Sequence, residues 1–173
     1  RRKIKKVLKK HNIKYEDGKN ALHFINYISY KLFNRKVFNQ SIEKNNASFR
    51  NALFESVYSY TCGSEVRQAI RKFFEIPAAR SILICEKFIG FEDLGFIDMV
   101  NCVLVNEYDI IDKINYLQNN IELRNTISSN GFKLIKKNHS IDSRALQIRS
   151  SLVEIIKNNF SSSYWSEGLY VNN

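Results

Sequence analysis

The sequence is poor in the residues that mark several common classes of protein. One proline and six glycines in 173 residues exclude collagen-like and low-complexity chains. The three cysteines, Cys62, Cys85 and Cys102, have no CxxC spacing, so we expect neither a disulfide framework nor a zinc site. No apolar run approaches the roughly 20 residues that span a bilayer, and no charged-then-apolar leader is visible. From these absences we expect a soluble, cytoplasmic protein that binds no metal.

What is present is the composition of one globular domain. Apolar residues make up 44% of the chain and charged residues 25%, which are ordinary values for a globular protein. A chain of 173 residues is also long enough to close a hydrophobic core.

The net charge of +10 is concentrated at the start of the chain. The first ten residues hold seven basic residues and no acidic one, so the other 163 residues carry only the remaining three net charges. This segment is either a basic helix that contacts phosphates or an anionic membrane, or the solvated face of an amphipathic helix that buries Ile4, Val7 and Leu8. We favour the second interpretation and do not expect nucleic acid as a partner, while peripheral contact with a membrane stays open.

Hydrophobic periodicity predicts helices that alternate with short strands. The N-terminal part is predicted as a helix at 1–10, a short strand at 12–17, a helix at 19–33, and a loop or irregular insertion at 34–48. Further on we predict strands at about 54–61, 81–85 and 101–106, and helices at about 65–76 (disturbed by Pro77), 109–119, 121–137 and 141–158, the last with Ser140 as its N-cap. This order predicts an α/β fold with a Rossmann-like parallel sheet flanked by helices.

We expect residues 1–158 to form a single α/β domain and residues 159–173 a polar, aromatic tail. The tail either docks on another domain or is disordered, and the sequence leaves both open. A doubly wound domain normally opens with a strand, whereas this chain opens with a helix. We therefore expect a first strand to be missing, so that an N-terminal domain or a partner subunit completes the protein.

The segment 58–85 contains the candidate binding site. Its sequence predicts a strand, a Gly63-Ser64 turn, a helix and a second strand. A helix N-terminus after such a turn presents unpaired N–H groups to an anion, and ligands of open α/β sheets bind at the carboxyl ends of the strands. Basic side chains follow within two turns and can add charge to a diphosphate: Arg67, Arg71 and Lys72.

Glu75 falls in the last turn of the predicted helix, where the helix dipole disfavours a carboxylate. Either a pair of sugar hydroxyls offsets that cost, or an ion pair with Arg71 one turn earlier does so. The residues alone leave the two explanations open.

Several segments resemble the C-terminal domain of GT-B-fold glycosyltransferases, group 1, of the spore-maturation type. The resemblance covers residues 49–158. It rests on RKFFEIPAARSILIC (71–85), the loop FEDLGF (91–96), the strand NCVLV (101–105), and the N-x-E-x-R-x-x-I-x-x-x-G pattern at 120–131 followed by His139-Ser140.

The resemblance implies a role for each predicted site residue. Glu75 matches the glutamate that holds the ribose hydroxyls of the donor, and Lys72 matches the basic residue three positions before it. The Gly63-Ser64 turn and the helix start match the region that receives the nucleotide diphosphate, with Arg67 nearby. The chain departs from the family at Arg80, where glycine is frequent, and at Arg67, where the earlier glutamate of an E-x7-E pattern would stand.

The function that the resemblance implies is that of the donor-binding part of a glycosyltransferase in glycan biosynthesis. It would bind a nucleotide-sugar, without a metal or another cofactor, and transfer the sugar to a glycan or other acceptor held largely by an absent N-terminal domain. The sequence assigns no catalytic base; His139 is interpreted as part of a helix cap. Two alternatives stay open, namely a basic module that binds RNA or another polyanion through residues 1–10, and a non-catalytic copy of the domain.

Overall fold

A computed structural model describes residues 2–15, 35–63 and 67–173 of the chain. Its elements, in chain order, are α1 (Arg2–Lys10), α2 (Arg35–Glu55), β1 (Tyr58–Thr61), α3 (Lys72–Ala78), β2 (Ile82–Cys85), β3 (Val103–Leu104), α4 (Ile110–Asn119), α5 (Ile121–Leu134), a π-helical turn (Ile135–His139), α6 (Ile141–Ile156), β4 (Ser163–Ser166) and β5 (Leu169–Asn172). The described residues include no helix that is long and apolar enough to cross a membrane.

The first three strands form a parallel sheet in the order β1-β2-β3. Tyr58 is opposite Ile82 in the register of β1 and β2, and Ile84 is opposite Val103 in that of β2 and β3. All four residues of the central strand β2 are buried, which is why its sequence is a continuous apolar run instead of an alternating one. The predicted strand at 81–85 is thereby confirmed.

Alternate residues of β2 pack into two separate cores, one on each face of the sheet. Leu83 and Cys85 belong to a core with Phe73, Ile76, Phe88, Phe91 and Phe96. Ile82 and Ile84 belong to a core with Ile4, Leu8, Ile110, Ile114, Leu117 and Ile127. Because helices cover both faces of a parallel sheet, the predicted α/β class is confirmed.

Helix α1 packs against the second core through its apolar side. Ile4 and Leu8 are buried, whereas the basic side chains of Arg2, Lys3 and Lys6 are exposed. The Lys3 Nζ lies 2.9 Å from a carboxylate oxygen of Glu107. The amphipathic interpretation of this segment is therefore confirmed.

The N-terminal half differs from the prediction at several points. Residues 13–15 form no strand, and the predicted helix at 19–33 lies outside the described residues. Residues 35–48 of the loop expected at 34–48 belong to helix α2, which also includes the start of the strand predicted at 54–61, so that β1 begins only at Tyr58. Nothing in the segment 35–55 stops a helix, because it contains no glycine or proline. Its many polar residues had suggested a loop.

The predicted helix at 65–76 is wrong in its extent. Residues 64–66 lie outside the described residues, residues 67–70 are not helical, and α3 runs only from Lys72 to Ala78. Arg67 has a φ of +53°, a left-handed backbone conformation that breaks a helix. Pro77 does not end the helix but is buried within it, where its ring lies against Gly131 of α5.

The C-terminal half follows the prediction closely. Helices α4, α5 and α6 lie at the predicted positions, and the Ser140 hydroxyl caps α6 by accepting a hydrogen bond from the Ser143 N–H at 3.2 Å. The π-helical turn was not predicted.

Residues 163–172 of the tail form an antiparallel hairpin, β4-β5, that packs on the same domain. The amide of Asn138 donates to the Glu167 carbonyl at 3.0 Å, and the Ser151 hydroxyl donates to Asn172 Oδ1 at 2.7 Å. Gly168 sits at the hairpin turn with a φ of +84°, and its N–H donates to the Asp93 carbonyl at 2.8 Å. These contacts hold the tail on its own domain, an arrangement that neither of the two predicted alternatives included.

Candidate functional site

The three parallel strands end at one cleft of about 540 Å³. It lies where the chain leaves β1, β2 and β3, which is the edge at which open α/β sheets bind their ligands. The residues that line it are Cys62, Gly63, Arg67, Glu86, Lys87, Leu104, Val105, Asn106, Asp109 and Lys113.

The first wall of the cleft is the loop after β1. A Cβ atom on Gly63 would lie 3.3 Å from the Arg67 Cα, so these two residues approach each other closely. The Arg67 carbonyl accepts a hydrogen bond from the Ile89 N–H at 2.8 Å, which ties this loop to the one after β2. The Arg67 side chain is exposed and forms no ion pair with a described residue.

The opposite wall is held by a lysine that is bonded within the protein. Lys113 Nζ donates to the Leu104 carbonyl at 2.5 Å and lies 3.4 Å from Asp98 Oδ2 and 3.8 Å from Asp109 Oδ2. Asp98 also accepts from the Leu104 N–H at 2.8 Å, and Asp109 accepts from the Asn106 N–H at 2.7 Å. This network fixes the backbone at the end of β3 and largely neutralises the charge of Lys113.

The loop after β2 contributes one acid and one base. The Tyr60 hydroxyl donates to Glu86 at 2.6 Å, and burial together with this carboxylate raises the pKa of Tyr60, so that the tyrosine stays a donor. Lys87 Nζ lies 2.5 Å from a carboxylate oxygen of Glu92, and this hydrogen bond lowers the pKa of Glu92. Both partners of the Lys87–Glu92 pair are more than half exposed, hence the pair is weak and exchangeable.

Two of the six predicted site residues line this cleft, Gly63 and Arg67. Ser64 lies outside the described residues. Lys72 and Glu75 lie on α3, Arg71 is the N-cap residue of that helix, and none of the three is among the lining residues. The Lys72 ammonium instead lies 5.4 Å from the centre of the Phe49 ring.

Glu75 lies in the first turn of α3, so the argument that the helix dipole disfavours it was wrong. The ion pair with Arg71, one of the two explanations that the sequence left open, is formed, because Arg71 Nε lies 2.8 Å from Glu75 Oε1. The second carboxylate oxygen, Oε2, is buried and has no hydrogen-bond partner, although the side chain as a whole is 32% exposed. One oxygen is thus paired with Arg71, and the other is buried without a hydrogen-bond partner.

The cleft residues beyond β1 were not predicted from the sequence. Glu86 and Lys87 directly follow β2, and Asn106 follows β3 by two residues. The rule that parallel strands present their carboxyl ends at one edge would have identified them, since both strands were predicted. Asp109 and Lys113 lie farther along the chain, where only the network around Leu104 brings them to the cleft.

His139 has a structural position away from the cleft. Its Nε2–H donates to the Leu94 carbonyl at 2.8 Å, the Arg144 guanidinium donates to its Nδ1, and its ring contacts the rings of Phe74 and Phe96, which also contact each other. Burial lowers the pKa of His139 to about 4, so the ring is neutral at pH 7. Ser140 provides the cap of α6, and His139 instead links the loop at Leu94 to the C-terminal helices.

The described residues contain no group of three or more His, Cys, Asp or Glu side chains that could hold a metal ion. Cys62 borders the cleft, while Cys85 and Cys102 are buried, and all three are free thiols.

No family model matches the chain, and no curated protein matches it either. Among solved structures, it is similar to the C-terminal domain of a glycosyl transferase group 1 family protein, LpcC, from Francisella tularensis. The two chains are 19% identical with a TM-score of 0.43 over 62% of this chain and 63% of the other. The match therefore spans less than two thirds of that domain's length, and these values assign the chain to no family.

Proposed function

We propose that the chain is the donor-binding part of a GT-B-type glycosyltransferase, and that the cleft at the ends of β1, β2 and β3 receives a nucleoside-diphosphate sugar. The observation that carries this proposal is the convergence of three parallel strands on one cleft with an exposed arginine, Arg67, that forms no ion pair with any described residue. The order of motifs in residues 49–158, which resembles that of the group 1 transferases, supports the same function.

The diphosphate is the part of the donor that the cleft suits best. Arg67 offers a planar fork of donors that matches two phosphate oxygens at once. Lys87 can exchange Glu92 for a phosphate, because an exposed ion pair contributes little stability.

Glu75 is the candidate for the ribose of the donor. Its Oε2 has no partner in the protein, so a ribose hydroxyl that reaches it when the partly exposed side chain turns outward would satisfy an atom whose isolation costs free energy. Since Glu75 lies on α3 and not on the cleft wall, the nucleoside has to extend from the cleft towards α3.

Transfer breaks the bond between the anomeric carbon and the diphosphate oxygen and forms a bond to an acceptor hydroxyl. The diphosphate leaves with the electron pair of the broken bond, and Arg67 and Lys87 stabilise the charge that develops on it. The acceptor, a glycan or another sugar, is held largely by a further domain, which also supplies the group that takes the proton of the hydroxyl.

The test is a thermal-shift screen of the chain against UDP, GDP, CDP, ADP and their common sugars. A ligand at 100 times its dissociation constant adds about 2.7 kcal/mol to the free energy of unfolding. We expect one nucleotide to stabilise the chain, with the effect lost in Arg67→Ala and reduced in Glu75→Ala. Arg50→Ala removes an exposed arginine on α2 that is not among the residues lining the cleft, and serves as the matched control.

The alternatives give different results in the same experiment. A polyanion-binding module would respond to neutralisation of the lysines of α1, with a steep dependence on salt, and not to Arg67→Ala. A non-catalytic copy would be stabilised by none of the nucleotides, and that result would contradict the proposal.

A further inference from the structure

Helix α6 has its polar side towards the protein and its apolar side towards solvent. The helix contacts the rest of the domain through hydrogen bonds, from Gln147 to the Asn138 carbonyl and from Ser151 to Asn172. Ser151 is its buried residue. An amphipathic helix normally buries its apolar face, hence α6 is oriented the opposite way in the single chain.

The exposed apolar residues of α6 form one continuous stripe. They recur every three or four residues, which places them on one side of an α-helix. The exposed fractions are 88% for Ile141, 60% for Ile148, 53% for Leu152, 49% for Ile155 and 79% for Ile156, and Ala145 lies between them and is also exposed. A contiguous apolar surface of this kind marks an interaction site.

We propose that this stripe is a two-fold interface with a second copy of the chain, in which the two α6 helices pack antiparallel. The stripe is nearly palindromic about its midpoint between Ile148 and Arg149. With the helices antiparallel, Ile141 meets Ile156 of the second copy, and Ala145 meets Leu152 of the second copy, so that a small residue faces a large one on both sides of the axis. A two-fold interface requires such self-complementarity, whereas a lipid surface or an unrelated protein does not.

The stripe runs the length of α6, with Leu146 (63% exposed) and Val153 (37% exposed) on its edge. A helix of 16 residues at 1.5 Å per residue offers a second helix a seam of about 24 Å. Arg149 is the charged residue nearest the axis, and its long stem can lie along the apolar surface with the guanidinium in water. Because the two Arg149 side chains repel each other, we expect salt to strengthen the association.

The first experiment measures mass against concentration by sedimentation velocity on the whole chain. We expect a species of twice the 20.3 kDa chain mass that dissociates on dilution from about 100 µM to about 1 µM. Leu152→Glu places a charge in the stripe and should weaken the dimer at least tenfold. Ser150→Glu places the same charge on an exposed position of α6 outside the stripe and should leave the dissociation constant unchanged. Both positions are exposed, and circular dichroism verifies that each variant is folded.

The second experiment tests the antiparallel arrangement by oxidation of single cysteines in a Cys62→Ser background. Arg149→Cys lies near the axis and should cross-link to itself. Ile141→Cys should not, because its copies are about 22 Å apart along the helices, but it should cross-link to Ile156→Cys when the two variants are mixed. The proposal would be overturned by a chain that is monomeric at every concentration, or by a monomer whose stripe binds lipid vesicles instead. It would also be overturned by a dimer that Leu152→Glu does not weaken, or by self-linking of Ile141→Cys.

Discussion

At the scale of single residues, His139 shows how burial turns a histidine into a pH-dependent structural link. Its neutral ring accepts from Arg144 and donates to Leu94, so protonation would remove an acceptor and place a cation beside the guanidinium. The pKa falls from 6.5 to about 4 on folding, hence the unfolded chain binds more protons between these values and stability rises with pH across this window.

We therefore expect the free energy of unfolding to fall by about 3 kcal/mol between pH 7 and pH 4 on account of His139. Urea unfolding at pH 7, 6, 5 and 4 measures this loss. His139→Gln retains a donor for the Leu94 carbonyl and does not titrate, so the variant should lose that part of the pH dependence. An identical pH dependence in both proteins would contradict the structural role.

Arg80 has a φ of +61°, a backbone conformation that favours glycine. In the glycosyltransferase family that the sequence resembles, this position is frequently glycine. Its guanidinium lies 4.1 Å from the centre of the Phe132 ring, which compensates in part for the backbone conformation. Arg80→Val should destabilise the chain by about 1–2 kcal/mol, since a β-branched residue is strained there. Arg80→Gly loses the ring contact but removes the backbone strain. Its melting temperature should therefore lie well above that of the valine variant in thermal unfolding.

At the scale of elements, α3 and α5 approach closely at Gly131. A Cβ atom at this position would lie 2.7 Å from the Asn101 carbonyl oxygen and 3.3 Å from the Pro77 Cβ. Gly131→Ala should therefore destabilise the chain by about 1–3 kcal/mol through overpacking, although alanine favours a helix. Asn125→Ala, on an exposed position of the same helix, should leave stability unchanged or slightly higher. A stabilised Gly131→Ala variant in denaturant titration would contradict this packing.

The predictability of each element depended on how local its determinants were. Helix α6 was predicted because Ser140 and the apolar period are contained within the segment itself. Helix α2 was missed because its sequence is polar and carries no cap or period that identifies it. Helix α3 was predicted too long because the left-handed conformation of Arg67 depends on the loop that its carbonyl binds, not on its own sequence.

At the scale of the whole molecule, the two surfaces with proposed roles are independent of each other. The cleft lies at the carboxyl ends of the sheet, whereas the apolar stripe of α6 lies on a helix that contacts the π-helical turn and the hairpin strand β5. Loss of the dimer in Leu152→Glu should therefore leave any nucleotide-induced thermal shift intact, and loss of that shift in Arg67→Ala should leave the dimer intact.

The sequence by itself determined the α/β class, the buried strand β2, the amphipathic α1 and the helices of the C-terminal half, because caps, apolar periods and continuous apolar runs act over a few neighbouring residues. Only the tertiary structure decided the composition of the cleft, the place of Glu75 on α3, the docking of the hairpin and the outward direction of the apolar stripe. These features depend on strand register and on hydrogen bonds between segments far apart in the chain, such as Asn138 with Glu167, which no local pattern contains.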